Sequence, residues 1–97
     1  MKITFDKTKR EKTLEERGLD FLDAAKVFNG ATFEFEDIQK DYGETRIIAV
    51  GHLENRMVIV GYVQRNKIRH IFSMRKANER EIKKYQKQFE EDRQSSN

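Results

Sequence analysis

Three runs of β-branched and apolar residues between positions 46 and 75, parted by very short polar breaks, constrain this chain more than any other feature. Arg46 to Leu53 and Met57 to Val63 are separated by Glu54-Asn55-Arg56, which reads as a hairpin turn. Asn66-Lys67 turns the chain again into Ile68 to Arg75, so the middle of the protein reads as an antiparallel meander. Regular alternation on the last strand presents His70, Phe72 and Met74 on one face and Arg69, Ile71, Ser73 and Arg75 on the other. His70 and Arg75 are therefore an odd number of residues apart, and they share a site only if the strand bends or ends before Arg75.

Helical signals flank this region. Ile3 and Phe5 lie on one face of a short strand-like run, Asp6 is a good helix N-cap, and the charged stretch to Arg17 stops at Gly18. Asp20 caps a second expected helix in which Phe21, Leu22, Ala24, Ala25, Val27 and Phe28 make a wide apolar stripe, closed by Asn29-Gly30. Thr32 to Glu36 alternates as a half-buried strand, and Asp37 to Gly43 reads as a polar loop. Asn78-Glu79-Arg80-Glu81 has capping-box spacing and introduces a helix whose Ile82, Tyr85 and Phe89 should dock on the sheet, with Glu90 to Asn97 expected to fray. The expectation is one α+β domain over residues 1–97, with two N-terminal helices, a central antiparallel meander and a C-terminal helix. Proline is absent and no Gly/Ser-rich stretch suggests a linker.

Charge is sorted along the chain. Residues 1–55 carry nine Lys/Arg against twelve Asp/Glu, residues 56–88 carry ten against two, and residues 89–97 one against three. The middle block predicts a surface that attracts polyanions, either nucleic acid or an acidic protein, although a charged run is also the ordinary composition of a solvated face. With no cysteine there is neither a disulfide framework nor a thiolate zinc site. The opening residues lack the apolar run of a signal peptide and no segment has the length of a membrane span, so a cytoplasmic protein without membrane association is expected.

No phosphate-binding glycine loop, HExxH helix or Asp-rich calcium loop occurs, and the two histidines, His52 and His70, read more readily as sheet residues than as a metal pair. Neither metal nor cofactor is expected. The set that stands out is Glu44-Thr45-Arg46 at the mouth of one strand with Arg69, His70, Ser73 and Arg75 on another. Cleaving RNA through its own 2′-hydroxyl needs a proton acceptor, a proton donor for the leaving oxygen, and fixed positive charge beside the phosphate. Glutamate and histidine can supply the first two, and the planar fork of arginine suits the third. The competing reading is that Glu44 and Arg46 pair with neighbouring charges and stitch the sheet edge.

A longer pattern runs along the chain: Ile3-Thr4-Phe5-Asp6 with Lys9, Gly18-Leu19-Asp20-Phe21 followed by Ala24-Ala25 and Val27-Phe28, and Asp41-Tyr42-Gly43-Glu44-Thr45-Arg46. Gly51, the Val58 to Tyr62 strand and Ile71-Phe72-Ser73-Met74-Arg75-Lys76-Ala77 with Glu81 and Tyr85 complete it. In the order and spacing of these pieces the chain resembles the BrnT-type toxins of bacterial toxin–antitoxin pairs, ribonucleases of RelE-like fold. Against the family pattern, Phe5 replaces tryptophan, Thr13 asparagine, Arg17 histidine and His70 arginine. The resemblance implies an endoribonuclease that inhibits translation and is neutralised by a cognate antitoxin of ribbon-helix-helix type, with operator DNA bound only through that partner. On this reading Arg46 and Arg75 stabilise the phosphate, Glu44 and His70 transfer protons, and Lys67, Arg69 and Lys76 hold the RNA backbone. The alternative is a catalytically inactive RNA-binding or protein-binding module of the same fold, which the departures at Thr13, Arg17 and His70 favour.

Overall fold

Five strands and three helices form within residues 2–38 and 43–95, the residues described in this computed structural model; side chains are described as far as Asp92. In chain order they are β1 (Lys2–Phe5), α1 (Lys7–Arg17), α2 (Ala24–Asn29), β2 (Phe33–Asp37), β3 (Arg46–Leu53), β4 (Arg56–Arg65), β5 (Ile68–Lys76) and α3 (Glu79–Ser95). Asp41 and Tyr42, together with most of the loop expected over 37–43 and the last two residues of the expected tail, lie outside the described residues.

Local chemistry sets the ends of α1. The Asp6 carboxylate accepts the Lys9 amide at 3.0 Å, and Gly18, at φ 68°, returns its N–H to the Leu14 carbonyl. Asp20 also acts as a cap, accepting the Leu22 amide, but the helix expected from it is divided. Phe21–Asp23 form a 3-10 turn, and the α-helical part is only Ala24–Asn29. The tighter turn seats Phe21 in the core, where it meets the Phe5 ring edge-on at 6.1 Å. Glu54 and Asn55, both at positive φ, make the β3–β4 turn, and Leu53 pairs with Arg56 across it. At α3, Asn78 and Glu81 exchange side-chain-to-amide hydrogen bonds at 2.9 and 3.0 Å, the reciprocal capping box.

The expected arrangement of two N-terminal helices followed by an antiparallel meander is corrected on strand order and on helix placement. The five strands form one mixed sheet in the order β1-β5-β4-β3-β2, and β1 runs parallel to β5. The helices α1 and α2 therefore do not precede the sheet. They carry the chain from one edge, β1, to the opposite edge, β2. The alternation of Ile3 and Phe5 marks a strand, but its partner lies more than sixty residues away and is selected by packing, which periodicity does not encode.

A second correction concerns β5. Its pairing with β4 slips at Gly61/Tyr62, so that Gly61 faces Ser73 while Tyr62 faces Ile71, and Phe72 is the extra residue of a β-bulge. Ile71 and Met74, three positions apart, consequently point into the same core, and regular alternation fails beyond Phe72. Gly61 is what permits this. A Cβ there would stand 2.6 Å from both the Phe72 ring and the Ser73 hydroxyl.

The sheet has two differently covered faces. On one, Phe21, Ala24 and Val27 pack on Ala49, Val58, Val60, Ile71 and Met74, all fully buried, and Gly51 lets Val27 approach the sheet closely. On the other, Tyr85 of α3 packs on Val50, Met57 and Ile59 and against the rings of Phe33 and Phe35. Phe89 lies beside His52, with ring centroids 5.1 Å apart.

Candidate functional site

The α3 face has a second region, toward the ends of β3 and β5 that carry Arg46 and His70. Cross-strand register places Thr4, His70, Val63, Arg46 and Asp37 in a single row across all five strands. Paired residues in a row project to the same side, so the side chains of Thr4, His70 and Arg46 share one surface. His70 and Arg46 flank Val63, roughly 10 Å apart between backbones. Arg65, two residues beyond Val63 on β4, points to the same side.

Each polar group in this cluster is held. Thr4 Oγ1 lies 2.9 Å from His70 Nδ1, which leaves Nε2 as the ring nitrogen directed away from β1. Arg65 donates twice to Glu44, at 2.9 and 2.8 Å, in a forked pair. The Arg46 guanidinium lies over the Phe72 ring, 4.3 Å from its centroid, so the bulged residue supports the cation.

The electrostatics follow from these neighbours. The hydrogen-bonded Arg65 guanidinium holds the Glu44 carboxyl below its ordinary value, and the charges of His70 and Arg46 add to this. For His70, partial burial lowers the imidazole pKa, as does the charge of Arg65; Glu44 opposes them. The result is a neutral imidazole near neutral pH beside an ionised carboxylate and two arginines. A neutral ring nitrogen can accept a proton, whereas a carboxylate clamped by a guanidinium is a weak base suited to stabilising the imidazolium that forms.

The other expected site residues fall elsewhere. The bulge brings Arg75 to the same face as His70, but Arg75 is in register with Ile59 and His70 with Val63. Four residues of strand separate them, roughly 13 Å. Both terminal nitrogens of Arg75 are bound by Glu81, at 2.8 and 2.7 Å, and that carboxyl is held at about 2 by the guanidinium. Arg69 projects to the opposite face, over the Phe28 and Tyr62 rings at 4.4 and 4.8 Å. There Tyr62 donates to Glu34, and burial with this carboxylate pushes the phenol up to about 12. Lys76 is also on that face, in register with Val58. Lys67 is exposed in the β4–β5 turn, at the same end of the sheet as the cluster.

Two members escape a reading of the sequence. Arg65 continues the parity of Val63 beyond the apolar run, so extending β4 by two residues would find it. Thr4 requires the β1–β5 register, for which the sequence carries no local signal. Among the described residues no group of three or more His, Asp or Glu side chains is arranged to hold a metal ion.

Residues 5–81 match the sequence model of a known family, described as the ribonuclease toxin BrnT of type II toxin–antitoxin systems. The chain belongs to the BrnT family. No curated protein matches it. BrnT membership makes this a member of a ribonuclease toxin family, with RNA as the family's substrate and an antitoxin as its partner. The stretch matched to BrnT includes the whole cluster except Thr4, and it ends at Glu81, the residue that clasps Arg75. Among the described residues no helix is long and apolar enough to cross a membrane.

Proposed function

We propose that this chain is a metal-independent endoribonuclease toxin whose chemistry is centred on His70, and the observation that carries the proposal is the cross-strand row joining His70 to Arg46 with Glu44 and Arg65 beside it. The neutral imidazole accepts the proton of a ribose 2′-hydroxyl. The 2′-oxygen bonds to the adjacent phosphorus, the bond to the 5′-oxygen breaks, and that oxygen takes a proton from solvent water, giving a 2′,3′-cyclic phosphate and a 5′-hydroxyl; the imidazolium then returns its proton to solvent. Arg46, braced on Phe72, faces the charge that develops on the phosphoryl oxygens. Glu44 stabilises the imidazolium electrostatically, and Thr4 orients the ring. Lys67 supports the RNA backbone from the adjacent turn. Arg75 fastens α3 to the sheet through Glu81, and this pairing favours an anchoring role over direct contact with the scissile phosphate.

In the cell such cleavage inhibits translation, and a cognate antitoxin of ribbon-helix-helix type neutralises it by laying an acidic segment on the same cations; operator DNA is bound through that partner. The test uses purified chain freed of antitoxin, with a single-stranded RNA in EDTA. The expected products end in 2′,3′-cyclic phosphate and 5′-hydroxyl, and His70→Ala slows their formation by about 10²–10⁴, the range for loss of a general base. RNA binding without cleavage by the wild-type chain would overturn the proposal in favour of an inactive binding module.

A further inference from the structure

The cluster adjoins a feature that the cleavage chemistry does not use. β1 pairs with β5 only over Ile68 to Ile71, and beyond that point α1 lies along the edge of β5, with Arg17 donating to the Met74 carbonyl at 3.1 Å. α1 has no buried residue. One of its faces, carrying Lys9, Lys12, Thr13 and Arg17, closes a groove of about 230 Å³ against Phe72 and Ser73 of the bulge. Glu16 is the one carboxylate in its lining.

We infer that this α1–β5 groove is a nucleotide subsite, holding the single-stranded RNA nucleotide next to the scissile phosphate; the inference rests on the ribonuclease reading above. Three lines carry it. The lining combines cations for phosphate, two hydroxyls for polar edges and an aromatic ring for a base, the combination single-stranded RNA requires. The groove is continuous with the cluster, because the ring of Phe72 that lines it also supports Arg46. Phe72 and Ser73 follow His70 by two and three residues on β5, so the groove opens beside the proposed base, and the charge of Lys9 in its lining acts on that imidazole. At about 230 Å³ it is smaller than the ~300–1,000 Å³ of pockets that enclose a whole ligand, and it fits a chain passing through rather than a free nucleotide sealed inside. The bulge thus gives β5 two functions, turning Ser73 and Phe72 toward α1 and keeping His70 in the row.

The test is fluorescence anisotropy of a labelled single-stranded RNA octamer carrying 2′-O-methyl groups, titrated with the full chain over a range of salt. This RNA cannot be cleaved, so failure of the ribonuclease reading leaves the measurement intact. The double variant Lys9→Gln/Lys12→Gln lowers the slope of log affinity against log salt by about 0.7 for each phosphate contact removed. Phe72→Leu, which keeps an apolar side chain over Gly61, weakens binding roughly tenfold through lost base stacking and leaves the salt slope unchanged. An unaltered slope in the double variant overturns the inference, as does poly-glutamate competing as well as RNA of equal charge. If Phe72→Leu loses its cooperative urea transition, the lysine variant decides alone, since α1 buries no side chain that it would disturb.

Discussion

Replacing Glu81 by glutamine separates the anchoring of α3 from chemistry at His70. The carboxylate accepts two bonds from Arg75, at 2.8 and 2.7 Å, and one from the Asn78 amide at 3.0 Å. Glu81→Gln keeps one acceptor oxygen but loses the charge and one arm of the fork. The cap bond survives, because glutamine fills the same place in a capping box, so the expected loss is that of a partly exposed ion pair, about 0.2–1 kcal/mol at neutral pH. In a chain of this size that is a fall in Tm of roughly 4–8 °C for each kcal/mol. The sign of the pH dependence follows from the direction of the shift. Because the folded carboxyl titrates at about 2 against an ordinary 4.5, its contribution is complete above pH 4.5 and is lost as the pH falls through 2. Urea denaturation of Glu81→Gln beside the wild type at about pH 7 and about pH 2.5 reads this as a stability gap that has largely closed at the lower value. A gap of equal size at both would refute the assignment to the charged pair. The companion variant Arg75→Ala should lose similar stability and retain cleavage at temperatures where it is folded; loss of cleavage with stability intact would instead make Arg75 a site cation.

Three further outcomes are expected. The acid limb of the cleavage rate against pH falls below 6.5, because burial and Arg65 lower the His70 pKa, and Glu44→Gln moves it further down by removing the one neighbouring carboxylate of the cluster that raises it; a limb unmoved by that substitution would exclude His70 as the base. Gly61→Ala destabilises by about 1–3 kcal/mol through overpacking against Phe72 and Ser73 and slows cleavage as the Arg46 support shifts, measured by urea denaturation and single-turnover kinetics. Thr4→Val leaves β1 paired but frees His70 Nδ1, and lowers kcat rather than raising KM; an unchanged kcat would remove Thr4 from the site.

Much of this architecture is legible in the residues themselves. Asp6, Gly18 and the Asn78–Glu81 box mark helix ends because caps are local hydrogen bonds, and β3, β4 and β5 emerge from β-branched runs with short turns between them. What stays hidden depends on contacts between distant segments. The parallel β1–β5 pair needs Ile3 and Phe5 to meet the core under α2, and nothing within the first five residues states a direction. The bulge is masked because His70, Phe72 and Met74 alternate plausibly; only the absence of a side chain at Gly61, across the sheet, makes room for an extra residue. The same limit applies to the site. Glu44, Arg46 and His70 stand out by chemical type and do lie together, whereas Arg69 and Lys76 stand out for charge alone: strand parity directs Arg69 to the opposite face, and the bulge sends Lys76 there too.

The parallel edge also orders events in time. Thr4 and His70 are 66 positions apart in the chain and become neighbours only when β1 docks on β5. During synthesis β1 leaves the ribosome early and has no partner until β5 has followed it, and pairings over such a separation form late and slowly. A BrnT chain built this way does not carry an assembled His70 centre on a half-made polypeptide. On the reading proposed above, the interval before β5 arrives gives a cognate antitoxin access to the surface before RNA competes for it.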